Sequence, residues 1–265
     1  MREYFDLDKQ VMHLVIHKSM MVSHSEIDEL EVMLRDNNYR NLVSCSKIKL
    51  AELIGDYMIM YKTAAFRDWK EYFEMDCRVS KHLMGNLIDF ERTINSRVSH
   101  HISDLMANDG FSISERNAII QVIRTSQKRR LGLKPNQRLR NAYDGSRTWE
   151  FVAKMTFGEM KQLLFWLHDN KSEIYLEIIK EHSFLKNPNN SKKRIDELNR
   201  FRNNLFHFRP LNVYITHGDQ RRGRYRVLNN KFRKDAVKFI LRLNQNKAIS
   251  FEVDEIVLNS DNYIK

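Results

Sequence analysis

Residues that interrupt regular structure are scarce in this chain, which has only 3 prolines and 8 glycines among 265 residues. An architecture built mainly of sheets with many tight turns is therefore excluded, because turns draw on glycine and proline. Leucine, isoleucine, methionine, lysine, glutamate and arginine recur instead at helical spacing. With 42% hydrophobic residues, the chain can bury a core in one domain, with or without an appendage. We predict an all-α protein.

Cysteine is also rare, and the chain has no long hydrophobic run. Its 2 cysteines, Cys45 and Cys77, are too few for a zinc ribbon or a disulfide framework, so we predict that both are small buried groups. No apolar run approaches the roughly 18 residues that span a bilayer. The start "MREYFDLDKQ" lacks the residue order of a signal peptide. We expect a cytoplasmic protein that does not bind membranes.

Common sequence motifs for cofactors and metals are missing. The chain contains no GxxxxGK[ST], no GxGxxG and no HExxH pattern. His100 and His101 are adjacent and Glu91 is remote from them in sequence, which does not match the spacing of a zinc site. We expect no cofactor and no metal site.

Positive charge is in excess, with a net charge of +11 and a pI near 9.6. This charge favours polyanionic partners, because neutralising phosphates releases condensed counterions. One run, at about residues 124–147, is glycine-interrupted and especially basic, so we predict a basic loop insertion or a pair of helix ends there. It is either a solvated charged surface or an RNA-binding surface. The candidate RNA-binding residues in this run are Arg124, Lys128, Arg129, Arg130, Lys134, Arg138 and Arg140.

Periodicity predicts the elements around this run. Apolar residues recur every three to six positions from Phe66 to about Met106 without a proline, so we predict one long helix with a buried stripe. The segment "SKIKLAELIGDYMIMY" is also predicted to be helical. Capping-box spacing at Ser23 and at Ser112 marks two helix starts. Two β-prone runs predict a hairpin at about residues 213–227, which adds three candidate RNA-binding residues, Arg221, Arg222 and Arg224.

The stretch "RFRNNLFHFRP", residues 200–210, places polar side chains beside an apolar helix face. At 100° per residue, Asn203 and His207 lie about 40° apart on one face, while Arg202 lies about 140° from His207. An arginine followed by a histidine at this spacing is weak evidence, since chance gives about three such pairs in this composition. Whether this stretch is a catalytic motif must therefore be judged from the order of the surrounding segments.

Four segments in order resemble the Abi-like (abortive infection) proteins of bacteria, whose catalytic fold is the HEPN domain. They are "NNYRNL", the long helix "FRDWKEYFEMDCRVSKHLMGNLIDFERTINSRVSHHI", "TWEFVAKMTFGEMKQLLFWL" and "RFRNNLFHFRPLN". The last resembles the family's terminal Arg-Asn-x-x-x-His motif followed by Arg-x-x-Asn. The resemblance covers about residues 37–212 and departs from the family at Phe206, where a small residue is common.

The resemblance implies a HEPN-type helical bundle that acts as a metal-independent RNA endonuclease in phage defence. It implies His207 as general acid and base, Arg202 as phosphate and transition-state stabiliser, and Asn203 as the residue that positions the histidine or the phosphate. Because each chain supplies one such histidine, a homodimer is expected. Some relatives are associated with a small noncoding RNA, so RNA is expected as regulator as well as substrate.

Two other functions are compatible with the same residues. The chain could be a non-catalytic RNA-binding module that uses the basic surfaces alone, or, with less support, a helical DNA-binding regulator. We divide the chain into a helical N-terminal segment at 1–62, a HEPN-like domain at 63–250 and a tail at 251–265.

Overall fold

The protein is mostly helical, which confirms the prediction of an all-α fold class. The computed structural model describes residues 6–17, 20–37, 51–54, 58–61, 64–134, 136–138, 142–182, 184–185, 187–211, 214, 216–221, 224–229 and 231–243. Cys45, Arg140, Arg222 and the predicted tail at 251–265 lie outside these ranges. Among the described helices, none combines the length and the apolar character needed to cross a bilayer.

Helices account for most of the described chain. They are α1 (Leu7–Met12), α2 (Ile27–Asp36), α3 (Phe66–Ala107), α4 (Ile113–Arg130), α5 (Thr148–Ala153), α6 (Phe157–Asn170), α7 (Ser172–Ile179), α8 (Ser191–Phe206) and α9 (Lys231–Arg242). The described residues also include a π-helical turn at His13–His17 and short 3-10 turns at His24–Glu26 and Pro188–Asn190.

Strands form only two-stranded pairs in the described residues. They are β1 (Met20–Met21), β2 (Ala51–Ile54), β3 (Met58–Tyr61), β4 (Ala64–Ala65), β5 (Thr216–Arg221) and β6 (Arg224–Asn229). β1 pairs with β4 in parallel, and β2 with β3 and β5 with β6 in antiparallel register. The β5–β6 pair, with Thr216 opposite Asn229, confirms the predicted hairpin.

The chain divides into two compact units that do not follow the predicted boundaries after residues 62 and 250. The first unit comprises residues 1–86 and 201–265, and the second comprises residues 87–200. In the first unit, α1, α2 and the start of α3 surround a core that includes Leu14, Leu30 and Trp69. In the second, the later part of α3 packs with α6, where the rings of Phe90 and Phe157 lie 6.0 Å apart.

The long helix is confirmed almost residue for residue, since α3 runs from Phe66 to Ala107. Its predicted apolar stripe is buried at Trp69, Val79, Leu83, Leu87, Phe90, Ile94 and Val98, and Phe73 is half-buried. Arg97 fixes the helix within the second unit by donating to the carbonyl of Ile178 at 3.1 Å and to Glu181 at 2.5 Å. One continuous stripe therefore supplies core residues to both units.

The helix predicted at residues 46–61 is wrong where the structure describes it, because β2 and β3 pair there. Three residues, including Gly55, separate the paired Ile54 and Met58. Short apolar runs on either side of such a spacer have the composition of a hairpin, and periodicity alone cannot distinguish it from a helix.

Two residues that were predicted to be buried are exposed. Trp149 sits in the apolar periodicity of its segment, which predicts a core position, but it is 60% exposed on the short helix α5. Cys77, predicted to be a buried apolar group, is exposed. Both lie in helices whose apolar periodicity is satisfied by other residues.

The start of α4 is stabilised by a capping box that the sequence predicted. The backbone N–H of Ser112 donates to Glu115 at 2.8 Å, and the N–H of Glu115 donates back to the Ser112 hydroxyl at 3.3 Å. Lys171 lies 2.9 Å from the Glu115 carboxylate. The hydrogen bond from Lys171 first, and those from Ser112 next, lower the pKa of Glu115 from 4.5 to about 2.

We expect the contribution of Glu115 to the free energy of unfolding to depend on pH. Because the folded-state pKa is depressed, this contribution is complete above about pH 4.5 and is lost as the pH falls toward 2. Glu115→Gln should therefore lower the melting temperature at pH 7 but not at pH 2. Lys171→Met, which removes the first cause of the shift, should show a smaller loss on acidification than the wild type. Melting curves that respond identically to acid in all three proteins would contradict the prediction.

Candidate functional site

The residues of the predicted catalytic motif lie where α8 ends. The N–H of Phe208 donates to the carbonyl of Leu205 at 2.9 Å, and the N–H of Arg209 donates to the carbonyl of Asn204 at 3.1 Å. This pair of bonds is a Schellman motif, in which one residue adopts the left-handed conformation. Here that residue is Phe208, with φ at 51°, and Pro210 follows and prevents the helix from continuing.

A second helix in the same protein ends with the same bonds but with glycine in the left-handed position. The N–H of Gly132 donates to the carbonyl of Arg129 at 3.1 Å, and the N–H of Leu133 donates to that of Lys128 at 2.9 Å. Gly132 has φ at 64°. A side chain in this conformation costs roughly 1–2 kcal/mol relative to glycine, so the phenylalanine at 208 makes the end of α8 less stable than it could be.

His207 is the C-cap residue of α8 and is exposed. It lines a pocket of about 620 Å³ that lies entirely within the first unit. The walls come from the end of α2, one face of α3 and the chain that leaves α8. The lining residues are Asp36, Asn37, Phe73, Asp76, Cys77, Arg78, Ser80, Lys81, Met84, Leu205, His207, Phe208, Arg209 and Pro210.

Three cationic side chains line the same pocket as the histidine. Arg78 and Lys81 are one turn apart on α3, so they project from the same side of the helix. Arg209 approaches from the chain segment that carries His207. The lining thus combines an imidazole with three cationic side chains and the carboxylates of Asp36 and Asp76. The cations exceed the carboxylates by one, and cationic side chains suit a phosphate group.

Asp76 fixes the chain that forms the pocket wall. Its carboxylate is buried, with 4% of the residue exposed, and accepts from the N–H of Leu211 at 3.1 and 2.9 Å. The Ser80 hydroxyl also donates to it, at 3.3 Å. Asp76 therefore ties α3 to the segment directly after His207 and holds the two walls together.

We expect Asp76→Ala to lower the free energy of unfolding by about 1.5–3 kcal/mol, because a buried N–H loses a charged acceptor. Asp76→Asn, which retains one acceptor oxygen, should lose less. The matched control is Asp89→Ala on the same helix, whose exposed carboxylate pairs with Arg92 at 3.1 Å and should contribute under about 0.5 kcal/mol. Urea denaturation measures all three, and equal losses for Asp76→Ala and Asp89→Ala would disprove the anchoring role.

Arg202 and Asn203 are near His207 in sequence but lie outside the pocket lining. The Arg202 guanidinium lies 4.2 Å from the centre of the Phe206 ring and donates to the Asn203 side chain at 3.4 Å. The N–H of His207 donates to the Asn203 carbonyl at 3.1 Å. Phe206, the departure from the family pattern, thus packs beneath Arg202.

Cys77 also lines the pocket, but its chemistry does not suit a nucleophile. Although the residue retains exposed surface, partial desolvation of its thiol first, and the charges of Asp76 and Glu74 next, raise the pKa of the thiol to about 11. The thiolate is therefore scarce at neutral pH. Within the described ranges, no group of three or more His, Cys, Asp or Glu side chains could hold a metal ion.

Several predicted RNA-binding residues have structural partners in the second unit. Arg124 donates to the carbonyl of Tyr143 at 2.6 Å, and Arg130 donates to the carbonyl of Lys154 and lies 3.9 Å from Glu159. These two arginines hold the end of α4 to the chain that follows it. The predicted loop insertion thus begins as helix, since α4 continues through Arg130.

The remaining predicted RNA-binding residues differ in exposure. Arg129, Lys134 and Arg138 are exposed, and Lys128 is half-buried. Arg221 and Arg224 occupy opposite positions in the register of the β5–β6 hairpin. Arg140 and Arg222 lie outside the described residues.

The sequence did not single out the pocket residues on α3. Arg78 and Lys81 are separated by one helical turn, as are Asp76 and Ser80, but such spacings are common on any exposed helix. Arg209 was visible within the terminal motif. No sequence feature predicted the left-handed conformation of Phe208, because that conformation depends on the hydrogen bonds that end α8.

Comparison with known proteins adds no further evidence about family or function. No protein-family model, curated protein or solved structure matches the chain. The likeness to Abi-like proteins therefore rests on the four quoted segments, and the case for a site rests on the geometry around His207.

Proposed function

We propose that the protein is a metal-independent RNA endonuclease of the HEPN type that acts in abortive-infection defence against phage. The observation that carries the proposal is the position of His207. It is an exposed imidazole in the wall of a 620 Å³ pocket that also presents Arg78, Lys81 and Arg209. An imidazole beside a cationic pocket can move a proton next to a bound phosphate.

RNA suits this site because it carries its own nucleophile. The 2′-oxygen attacks the adjacent phosphorus while its proton passes to His207 acting as a base. The bond from phosphorus to the 5′-oxygen breaks, and that oxygen takes a proton from a protonated imidazole. The products are a 2′,3′-cyclic phosphate and a 5′-hydroxyl. Two histidines serve these steps better than one, so we propose a homodimer that pairs two His207 side chains across its two-fold axis.

Positive charge stabilises the negative charge that develops on the phosphorane. The lining cations, Arg78, Lys81 and Arg209, are placed to bind the phosphate in the ground state. Arg202 packs against Phe206 outside the pocket lining. We assign it to the transition state, in which its side chain must leave that ring so that its planar fork contacts two phosphorane oxygens. Asn203 positions the Arg202 side chain through the hydrogen bond between them.

The test is cleavage of RNA by the purified protein in excess EDTA. We expect cleaved RNA with 2′,3′-cyclic phosphate ends, and no cleavage when a 2′-deoxy nucleotide replaces the ribose at the cut site. Both results follow from a 2′-oxygen nucleophile and from proton transfer without a metal. Intact RNA under every condition, or equal cutting of the deoxy-substituted strand, would disprove the proposal.

A second candidate is a non-catalytic RNA-binding module. The exposure of Arg129, Lys134 and Arg138 favours it, because exposed cations near one helix end can follow phosphates without any chemistry. RNA bound in this way could also be the noncoding regulator that the family resemblance implies. Tight RNA binding without cleavage in the same assay would support this function instead.

A further inference from the structure

Phe208 occupies a position whose conformation and exposure both favour another residue. Its φ is 51°, and 76% of its surface is exposed. Gly132 occupies the equivalent position at the end of α4, with the same two hydrogen bonds. A large apolar ring therefore stands at a position whose backbone conformation favours glycine, and most of its surface is exposed.

The ring lies where a nucleobase could reach it. Phe208 lines the pocket between His207 and Arg209, its neighbours in sequence. The pocket volume of about 620 Å³ falls within the usual range for a small-molecule site. It exceeds what one phosphate needs, so the space beside the cations can accept a ribose and a base.

Part of the lining is apolar, and one of its rings is held in place by packing. Phe73, half-buried, lines the same pocket and stacks on the buried Trp69, with ring centres 6.1 Å apart and planes 16° from parallel. Met84 and Leu205 add further apolar surface. The lining thus contains aromatic and aliphatic groups that suit a base and cationic groups that suit a phosphate, together with the carboxylates of Asp36 and Asp76.

We infer that Phe208 is a base-stacking residue, which holds the nucleobase next to the phosphate that reacts at His207. This inference rests on the proposed function for its choice of RNA as the ligand. Arg78 and Lys81 bind the phosphate, and the Phe208 ring contacts the base. Stacking on an aromatic ring tolerates any base, because every base has a π-face. Phe208 therefore sets binding strength without choosing a sequence.

The test measures binding separately from cleavage. A single-stranded RNA that contains 2-aminopurine is titrated, in EDTA, into proteins that all carry His207→Ala, and fluorescence reports stacking. Phe208→Gly should weaken binding about 5- to 100-fold and abolish the quenching. Its melting temperature should not fall, because glycine suits a φ of 51°. Phe208→Leu, which keeps apolar bulk but lacks a π-face, should also lose the quenching, whereas Phe208→Trp should keep it.

Trp149→Ala is the matched control, since Trp149 is an exposed aromatic residue in the second unit. It should leave affinity and quenching close to those of the reference protein. The inference is overturned if Phe208→Gly binds within twofold of the reference, or if the variant loses affinity only because its oligomeric state changes. Quenched binding by a wild-type protein that never cleaves RNA would support the inference and disprove the proposed function. RNA cleavage at a rate that Phe208→Gly does not change would support the proposed function and overturn the inference.

Discussion

Replacement of His207 by alanine is expected to slow RNA cleavage by a factor of about 10² to 10⁴, the usual contribution of a general acid or base. The imidazole is exposed in the pocket wall and is not needed for packing. Its removal should therefore leave folding intact and RNA affinity within a few-fold of the wild type. Single-turnover cleavage rates and filter binding on the same RNA measure the two effects separately.

His100→Ala is the control for removing a histidine that lies outside the pocket. His100 is exposed on α3 and lies outside the pocket lining. Its substitution should leave the cleavage rate within about twofold, as expected for a surface site away from the chemistry. If His207→Ala cleaves as fast as His100→Ala, His207 is not the proton-transfer group. If binding falls as far as cleavage, His207 is only an RNA contact.

Arg202→Ala is expected to reduce cleavage by about 10² to 10³, the range for loss of one charged or hydrogen-bonding group that acts in the transition state. Arg202→Lys should recover little of the rate, because a lysine cannot present two parallel donors. The measurement is again the single-turnover rate at saturating protein. Affinity should change little, since the guanidinium lies against Phe206 rather than in the pocket.

Arg200→Ala is the matched control, because Arg200 and Arg202 both lie on α8 near the histidine. Arg200 forms an ion pair with Asp196 at 3.1 Å. Its guanidinium therefore lies along the surface of α8. Its substitution should have little effect on cleavage. A larger loss from Arg200→Ala than from Arg202→Ala would transfer the stabilising role to Arg200, which is the better aligned of the two with His207 along an ideal helix.

Much of the fold followed from local sequence signals. The long helix α3 was predicted within one residue of its end at Ala107. The capping boxes at Ser23 and Ser112 were predicted from their spacing and are confirmed by hydrogen bonds of 2.8 Å to Glu26 and Glu115. Both features depend on residues within a few turns of each other, so short-range physics is sufficient.

Predictions failed where the local sequence was compatible with more than one conformation or degree of burial. Residues 51–61 had the composition of either a helix or a hairpin, and the β2–β3 pair was formed. Trp149 had a spacing typical of a core residue yet is 60% exposed. The hairpin partners lie close in sequence, and periodicity alone cannot distinguish two short apolar runs that pair from one short helix. The exposure of Trp149 depends instead on which face of α5 packs against other elements.

For the candidate site, the terminal motif predicted His207, Arg202 and Asn203, and helical pitch placed Asn203 and His207 on one face with Arg202 on another. Of these three residues, His207 lines the pocket. Sequence could not place Arg78, Lys81 and Asp76 beside His207, since α3 and the end of α8 are about 130 residues apart and meet only through tertiary packing. Nor could it show that Phe208 turns into the left-handed conformation and presents its ring to solvent. A helix face depends on nearest neighbours, whereas a pocket depends on which distant surfaces are buried against each other.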